Sequence, residues 1–260
     1  MNKRILLGAL LGVTAIAAVP SAANAAASCS YNPSTRTMDM RMAPGETNVT
    51  VVNGPTLKFG KAGDFLRSCI SSNGVQATAA NTDSVIVRGP SGEGAAKQTT
   101  TIDETNGDFS DSNPKLHFTV LTGTNDRLVV KEGAGNNFVI LRDQTGGLAI
   151  GPAVDLDSDS DIDIRMTSGF ESVVEVDGGK GNDILDAGPA SVFQVVLDGQ
   201  AGNDTLRGGK KQDNLIGGTE NDRFFAKDTV KDIVTGGAGT DKATMDFNLD
   251  APSSIETQEF

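Results

Sequence analysis

Five nonapeptides built on glycine and aspartate fill much of the last third of the chain, at 178–186, 199–207, 208–216, 217–225 and 236–244. All are variations on G-G-x-G-x-D-x-U-x, where U is a large apolar residue. Glycine at the first, second and fourth places allows positive φ and a tight turn that points carbonyl oxygens inward. Aspartate at the sixth place adds a charged oxygen, and an all-oxygen donor set suits a hard divalent cation. The x-U-x tail is long enough for one short strand that buries its apolar residue, so turn plus strand makes half a coil.

The spacing sets the architecture. Asp183 and Asp204 are 21 residues apart, Asp204 and Asp222 are 18 apart, and Asp222 and Asp241 are 19 apart. Two nonapeptides make one coil, so these four aspartates are expected on one edge, stacked about 4.8 Å per rung. Asp213 is expected on the opposite edge. Leu185, Leu206, Leu215 and Phe224, at the eighth place, are expected in the core.

Outside the nonapeptides no long stretch carries helical periodicity. Period-two or apolar runs at 37–42, 48–52, 84–88, 116–121, 127–130, 137–141, 172–176 and 191–197 read as strands, separated by Gly, Asn, Asp, Ser and Pro clusters. The stretch 88–114 reads as a long loop or irregular coil. Asp155, Asp157, Asp159, Asp161 and Asp163 alternate with apolar and serine residues, which argues for a strand with an acidic face in solvent. An EF-hand beginning at Asp157 is rejected, because Ile162 stands where glycine is needed and Ser168 where glutamate is needed. A looser cation site on that acidic face is the alternative.

The start of the chain has the form of a secretory signal: Lys3 and Arg4, an apolar run over 5–19, and Ala23-Asn24-Ala25 as the cleavage site. The apolar run is shorter than the roughly 20 residues of a membrane span. Removing Lys3 and Arg4 takes the net charge from −12 to −14, which disfavours nucleic acid as a partner. In an exported chain Cys29 and Cys69, the only two cysteines, are expected to pair. With no Trp and one Tyr the chain suits thin coils better than a thick core.

The nonapeptides resemble the RTX, or hemolysin-type, calcium-binding repeat. Residues 29–31, 35–42, 69 and 81–87 further resemble the opening of secreted actinobacterial-type calcium-binding proteins. The resemblance implies an all-β, right-handed parallel β-roll of 18–21-residue coils with Ca2+ between successive turns. Carried onto this sequence, it implies three ions, held by Asp183 with Asp204, Asp204 with Asp222, and Asp222 with Asp241. Turn carbonyls would come from 178–182, 199–203, 217–221 and 236–240. The glycines of those turns are Gly178, Gly179 and Gly181; Gly199 and Gly202; Gly217 and Gly218; and Gly236, Gly237 and Gly239.

Two departures matter: Lys211 and Glu220 stand at the fourth place of the third and fourth repeats. Asp213 also lacks a glycine-patterned neighbour one coil away on its own edge, so it is expected to bind poorly. The turns near 122–128 and 133–137 read as degenerate coils without a dependable metal site.

The resulting division is a signal peptide at 1–25, an N-terminal β region at 26–115 closed by the disulfide, degenerate coils at 116–177, the calcium-binding roll at 178–250, and a tail at 251–260. The expected function is that of a secreted, extracellular, non-catalytic protein that couples calcium binding to folding. His117 is the only histidine, and no G-x-S-x-G or phosphate-binding glycine loop is present. An adhesive or envelope-matrix protein, and a small β-solenoid polysaccharide lyase or epimerase, are the alternatives. The sequence names no cell-surface or glycan partner.

Overall fold

The computed structural model describes residues 27–43, 46–61, 66–89, 97–106, 116–121, 126–144, 151–157, 162–167 and 172–260. The expected signal peptide lies outside them. Strands in chain order are β1 (Ser28–Asn32), β2 (Thr37–Arg41), β3 (Asn48–Val52), β4 (Lys58–Gly60), β5 (Arg67–Ser68), β6 (Ser84–Arg88), β7 (Thr99–Asp103), β8 (His117–Leu121), β9 (Arg127–Lys131), β10 (Phe138–Asp143) and β11 (Pro152–Asp155). They continue with β12 (Ile164–Thr167), β13 (Val173–Asp177), β14 (Ile184–Asp186), β15 (Gln194–Ala201), β16 (Thr205–Arg207), β17 (Asn214–Thr219), β18 (Arg223–Phe225), β19 (Ile233–Ala238), β20 (Lys242–Thr244), β21 (Ala251–Ser253) and β22 (Thr257–Glu259). One 3-10 turn, Ala79–Asn81, is the only helical element among the described residues.

The strands form two sheets. The first runs β1-β2-β6-β8-β12-β11-β10-β14-β16-β18-β20-β22 and the second β21-β19-β17-β15-β13-β9-β7-β3-β4-β5. From β13 onward the chain alternates between them, every neighbour pair is parallel, and like positions recur after 21, 18 and 19 residues. This is the coil length read from the aspartate spacing. Upstream the coils are longer, with like positions 28 and 46 residues apart.

Between the sheets lies a thin core. On the first sheet Leu185, Leu206, Phe224 and Ala243 stack in register, each fully buried. On the second sheet Val176, Leu197, Leu215 and Val234 do the same. Each rung contributes few apolar side chains, so stability comes chiefly from stacking on the rung before and the rung after.

The N-terminal end departs from the parallel pattern. β1 is antiparallel to β2 on the first sheet, and β3, β4 and β5 form an antiparallel meander on the second. Cys29 in β1 and Cys69, just after β5, form the expected disulfide, with Cα atoms 5.6 Å apart. It joins the outermost strands of the two sheets, so a covalent clasp closes this end.

Two expectations are corrected. The two ends of the acidic run belong to different strands, since β11 and β12 pair antiparallel, Val154 with Ile164, while Asp159 and Asp161 lie outside the described residues. Asp155 and Asp163 are buried rather than facing solvent, where Arg142 pairs with Asp155 and Asp163 Oδ2 accepts the Leu156 amide. The stretch 88–114 contains a central strand, β7, whose Thr100 and Ile102 point inward. Threonine supplied the β-branched shape without the apolar signal, which is why the alternation was missed.

Candidate metal centre

Every expected ligand turn falls between a strand of the second sheet and a strand of the first, and the turns stack on one edge. Asp183, Asp204, Asp222 and Asp241 are each at most 3% exposed. Their carboxylates form a continuous ladder. Asp204 Oδ1 accepts the amide of Asp183 at 2.8 Å, Asp222 Oδ1 that of Asp204 at 2.8 Å, and Asp241 Oδ1 that of Asp222 at 2.8 Å. Each aspartate thus caps a backbone donor one rung upstream, which fixes its side chain.

The second oxygen tells more. Asp183, Asp204, Asp222 and Asp241 each leave Oδ2 buried and without a hydrogen-bond partner. A buried unpaired carboxylate oxygen costs on the order of 1–3 kcal/mol or more. Four at a regular repeat mark a place prepared for something positive.

The first-place glycines show where. Their φ angles are not positive, contrary to the reading of that place as a conformational need. Space is the reason instead. A methyl on Gly199 would lie 2.2 Å from Asp204 Oδ2 and 2.8 Å from the Gly217 carbonyl oxygen. On Gly217 it would lie 2.1 Å from Asp222 Oδ2 and 2.6 Å from the Gly236 oxygen, and on Gly178 2.7 Å from Asp183 Oδ2 and 3.1 Å from the Gly199 oxygen. At Gly236 the neighbours are the Ser254 oxygen and Asp241 Oδ2. Carboxylate and carbonyl oxygens of adjacent rungs therefore converge at each turn, the all-oxygen donor set of a hard cation.

Positive φ is confined to the second and fourth places: Gly179 and Gly181, Gln200 and Gly202, Gly218 and Glu220, Gly237 and Gly239. Glu220 adopts φ 77 without being glycine, a conformation that costs on the order of 1 kcal/mol or more. Its side chain offsets this by accepting the Gly202 amide at 2.9 Å. In the third repeat neither Gly209 nor Lys211 has positive φ, so that turn has a different shape.

Burial pushes the carboxyls of Asp183 and Asp222 up to about 6, and neighbouring carboxylates push the same way. Asp204 is raised by the same two causes, with Glu220 and Asp198 as its negative neighbours. Low dielectric and like charge both disfavour the ionised form.

Sequence reasoning missed a second ladder beside the first. Asn182, Asn203 and Asn221 hold the fifth place, and each Oδ1 accepts the amide one rung downstream: Asn203 at 2.7 Å, Asn221 at 3.2 Å and Thr240 at 2.8 Å. The repeated asparagine was the signal available. It runs opposite to the aspartate ladder, so each turn is tied in both directions.

Both ends of the aspartate ladder are capped. At the C-terminal end Glu256 Oε2 accepts the Asp241 amide at 2.7 Å. At the N-terminal end the degenerate turn places Asn137 where aspartate would stand, and its amide donates to Asp183 Oδ1 at 2.7 Å. The Asn137 Nδ2 donates to the Gly178 oxygen at 2.9 Å, so a neutral amide serves this junction.

Asp213 lies on the opposite edge as expected, and its oxygens accept the amides of Val195 and Gly209 at 2.9 and 2.6 Å. Its own amide donates to Asp232 Oδ1 at 2.8 Å, so an aspartate stands one coil on along this edge, in a turn that lacks the glycine pattern. Asp232 escaped notice because its turn, 227–232, holds no glycine. Asp155, Asp157 and Asp163 bring carboxylate oxygens within 4.8 Å of one another. There Arg142 pairs with Asp155, and Asp163 Oδ2 accepts the Leu156 amide at 2.8 Å.

Comparison with known families matches the RTX calcium-binding nonapeptide repeat in four copies, at residues 175–189 and 197–228. No curated protein and no solved structure matches the chain. The matched segments contain Asp183, Asp204, Asp213 and Asp222, whereas Asp241 lies beyond them. Repeats of this family bind Ca2+.

Proposed function

Starting from a chain that carries RTX calcium-binding repeats on an all-β, largely parallel two-sheet scaffold, we propose that it is a secreted, non-catalytic protein whose last coils are ordered by calcium. The supporting observation is the row of buried, unpartnered Oδ2 atoms on Asp183, Asp204, Asp222 and Asp241. Three ions are assigned, between Asp183 and Asp204, Asp204 and Asp222, and Asp222 and Asp241. Carbonyls of the turns opened by Gly178, Gly199, Gly217 and Gly236 complete each donor set. Bound calcium supplies the positive charge that stacked carboxylates lack.

The remaining work belongs to the chain. Oδ1 of each aspartate holds the amide of the rung before, which aims Oδ2 into the turn. The first-place glycines keep that space open. Since the donors come from two rungs, they assemble only when the rungs are stacked, and binding free energy becomes folding free energy. At a free ion concentration about 100 times the dissociation constant, each site adds about 2.7 kcal/mol.

Export fits this reading in two ways. The clasp between Cys29 and Cys69 suits an oxidising compartment. Extracellular calcium modules bind at about 0.1–1 mM and stay empty in a calcium-poor cytosol, so the coils would order outside. Among the described residues no helix is long and apolar enough to cross a membrane.

The test is calorimetric titration of calcium into chelator-treated protein, with far-UV circular dichroism alongside and an Asp204→Asn variant in parallel. Binding of about three ions with gain of β signal, cut by more than one ion in the variant, is expected. Full β structure without calcium and no heat at 10 mM would refute the coupling.

A further inference from the structure

The chain carries a net charge of −12, yet the outer face of the first sheet turns basic in the last coils. Arg207, Arg223 and Lys242 are outward residues of the successive strands β16, β18 and β20, and Lys210 and Lys227 stand exposed in the turns that follow β16 and β18. On the second sheet, strands β13, β15, β17, β19 and β21 hold Glu175, Asp177 and Asp198 and neither lysine nor arginine.

Most of this positive charge is left for a ligand. Lys210 and Lys227 make no ion pair among the described residues, and Arg207 reaches Asp186 only at 3.9 Å. Arg223 is held by an aromatic ring instead, its guanidinium carbon 4.8 Å from the Phe225 centroid. That cation–π contact orients the guanidinium without using its N–H donors. Two clefts share Arg207 and Phe225: one of about 320 Å³ that also takes in Lys210, Lys227 and Asp228, and one of about 280 Å³ that takes in Ile184, Thr205 and Asp186. Arg207 and Phe225 face each other across β16 and β18, so the clefts join into one groove over the rungs of β14, β16 and β18.

We propose that this groove binds an acidic polysaccharide, a chain of sugar rings carrying carboxylate or sulfate groups. The inference goes beyond calcium binding and needs only that these coils be folded. A groove over three rungs, stacked about 4.8 Å apart, is longer than a single small anion requires. Its lining is mixed, three cations with the acids Asp186 and Asp228, one in each cleft. Those acids, and the negative charge of the whole chain, oppose a densely charged nucleic acid or acidic peptide. A sugar polymer uses both kinds of group: its anionic substituents meet Arg207, Lys210 and Lys227, and its hydroxyls donate to the carboxylates. Ile184, 41% exposed, and the Phe225 ring supply apolar surface for the C–H faces between them.

Calorimetric titration of the full chain, in saturating calcium, with hyaluronate, dextran sulfate, uncharged dextran and polyglutamate tests the assignment. Binding to hyaluronate, to dextran sulfate or to both is expected, the pair telling carboxylate from sulfate, with none to dextran. Arg207→Gln and Lys227→Gln remove exposed side chains, so the fold should stand, and each is expected to weaken binding about threefold to fivefold, the range of an exposed ion pair. Lys131→Gln makes the same change of charge on the second sheet and should leave binding as it was. No binding to either acidic polymer, polyglutamate bound as tightly as the better of them, or an equal loss in Lys131→Gln would overturn the proposal. The calcium reading is judged separately: a chain that takes up about three calcium ions and no polysaccharide sinks the groove alone, whereas polysaccharide binding kept in chelator with full β signal sinks the coupling and leaves the groove standing.

Discussion

Gly199→Ala adds one methyl group at the point where oxygens of two rungs meet. Gly199 does not use positive φ, so alanine brings no backbone strain and the effect is spatial. The methyl would stand 2.2 Å from Asp204 Oδ2 and 2.8 Å from the Gly217 oxygen, both closer than van der Waals contact. Neither neighbour yields easily. Asp204 is held by its bond to the Asp183 amide, and the strand that leads into Gly217 is paired on both sides. Crowding of this kind costs about 1–3 kcal/mol whether or not metal is present. In calcium at about 100 times the dissociation constant, loss of one site costs a further 2.7 kcal/mol or about that. For a chain of this size 1 kcal/mol moves Tm by about 2–4 °C, so the calcium-dependent rise in Tm is expected to shrink by about 5–11 °C. Gly208→Ala is the control, because its methyl would meet Asp213 Oδ2 at 3.0 Å and nothing else closer than 3.7 Å. Circular-dichroism melts of both variants and the parent, in chelator and in calcium, give the increments. A full calcium increment in Gly199→Ala, or an equal loss in Gly208→Ala, would refute the argument.

Acidity is expected to act oppositely on the two states. Without metal, Asp183, Asp213 and Asp222 have folded-state values raised to about 6 and Asp232 to about 8, above the unfolded value near 4. Their contribution is then present below about pH 4 and lost as pH rises through about 6 and on to about 8, so the chelated protein should melt lower at pH 8 than at pH 5. With calcium, which competes with those protons, Tm should rise over the same range; parallel slopes in the two conditions would contradict the assignment. Cys69→Ser opens a 40-residue closure and should cost about 4 kcal/mol by chain entropy, seen in chemical denaturation, while calcium stoichiometry stays unchanged. Asn137→Asp replaces the amide that donates to the Gly178 oxygen with a carboxylate. It should lower Tm in chelator and add one bound ion by dialysis; an unchanged count would mean that the degenerate turn cannot assemble a site.

The C-terminal coils were legible because one signal repeated. Glycine, aspartate and an eighth-place apolar residue recur at a fixed interval, and that interval set which aspartates share an edge. Strands with β-branched alternation, such as Val85 and Val87 in β6 or Val174 and Val176 in β13, were equally open to reading. What escaped lacked one of these signals. Asp232 sits in a turn without glycine, so its place 19 residues after Asp213, one coil on in the column of Val174 and Val195, carried no motif signal. The purpose of the first-place glycines was misjudged, since a need for space and a need for φ leave the same letter in the sequence. The acidic run between β11 and β12 was misread because alternation is blind to a reversal of direction.

The two ladders of opposite polarity bear on how long such a protein can be. Every boundary between rungs offers the same pair of requests: an aspartate amide seeking a carboxylate downstream, and an asparagine oxygen seeking an amide. A coil removed from or added to the middle therefore leaves the neighbouring requests answered as before. Only the end rungs differ: Asn137 stands in for aspartate at the first junction, and at the last Glu256 answers the final aspartate amide. The penalty for ending is paid once, independent of the number of coils, so length is a free variable as long as a terminal carboxylate travels with the end.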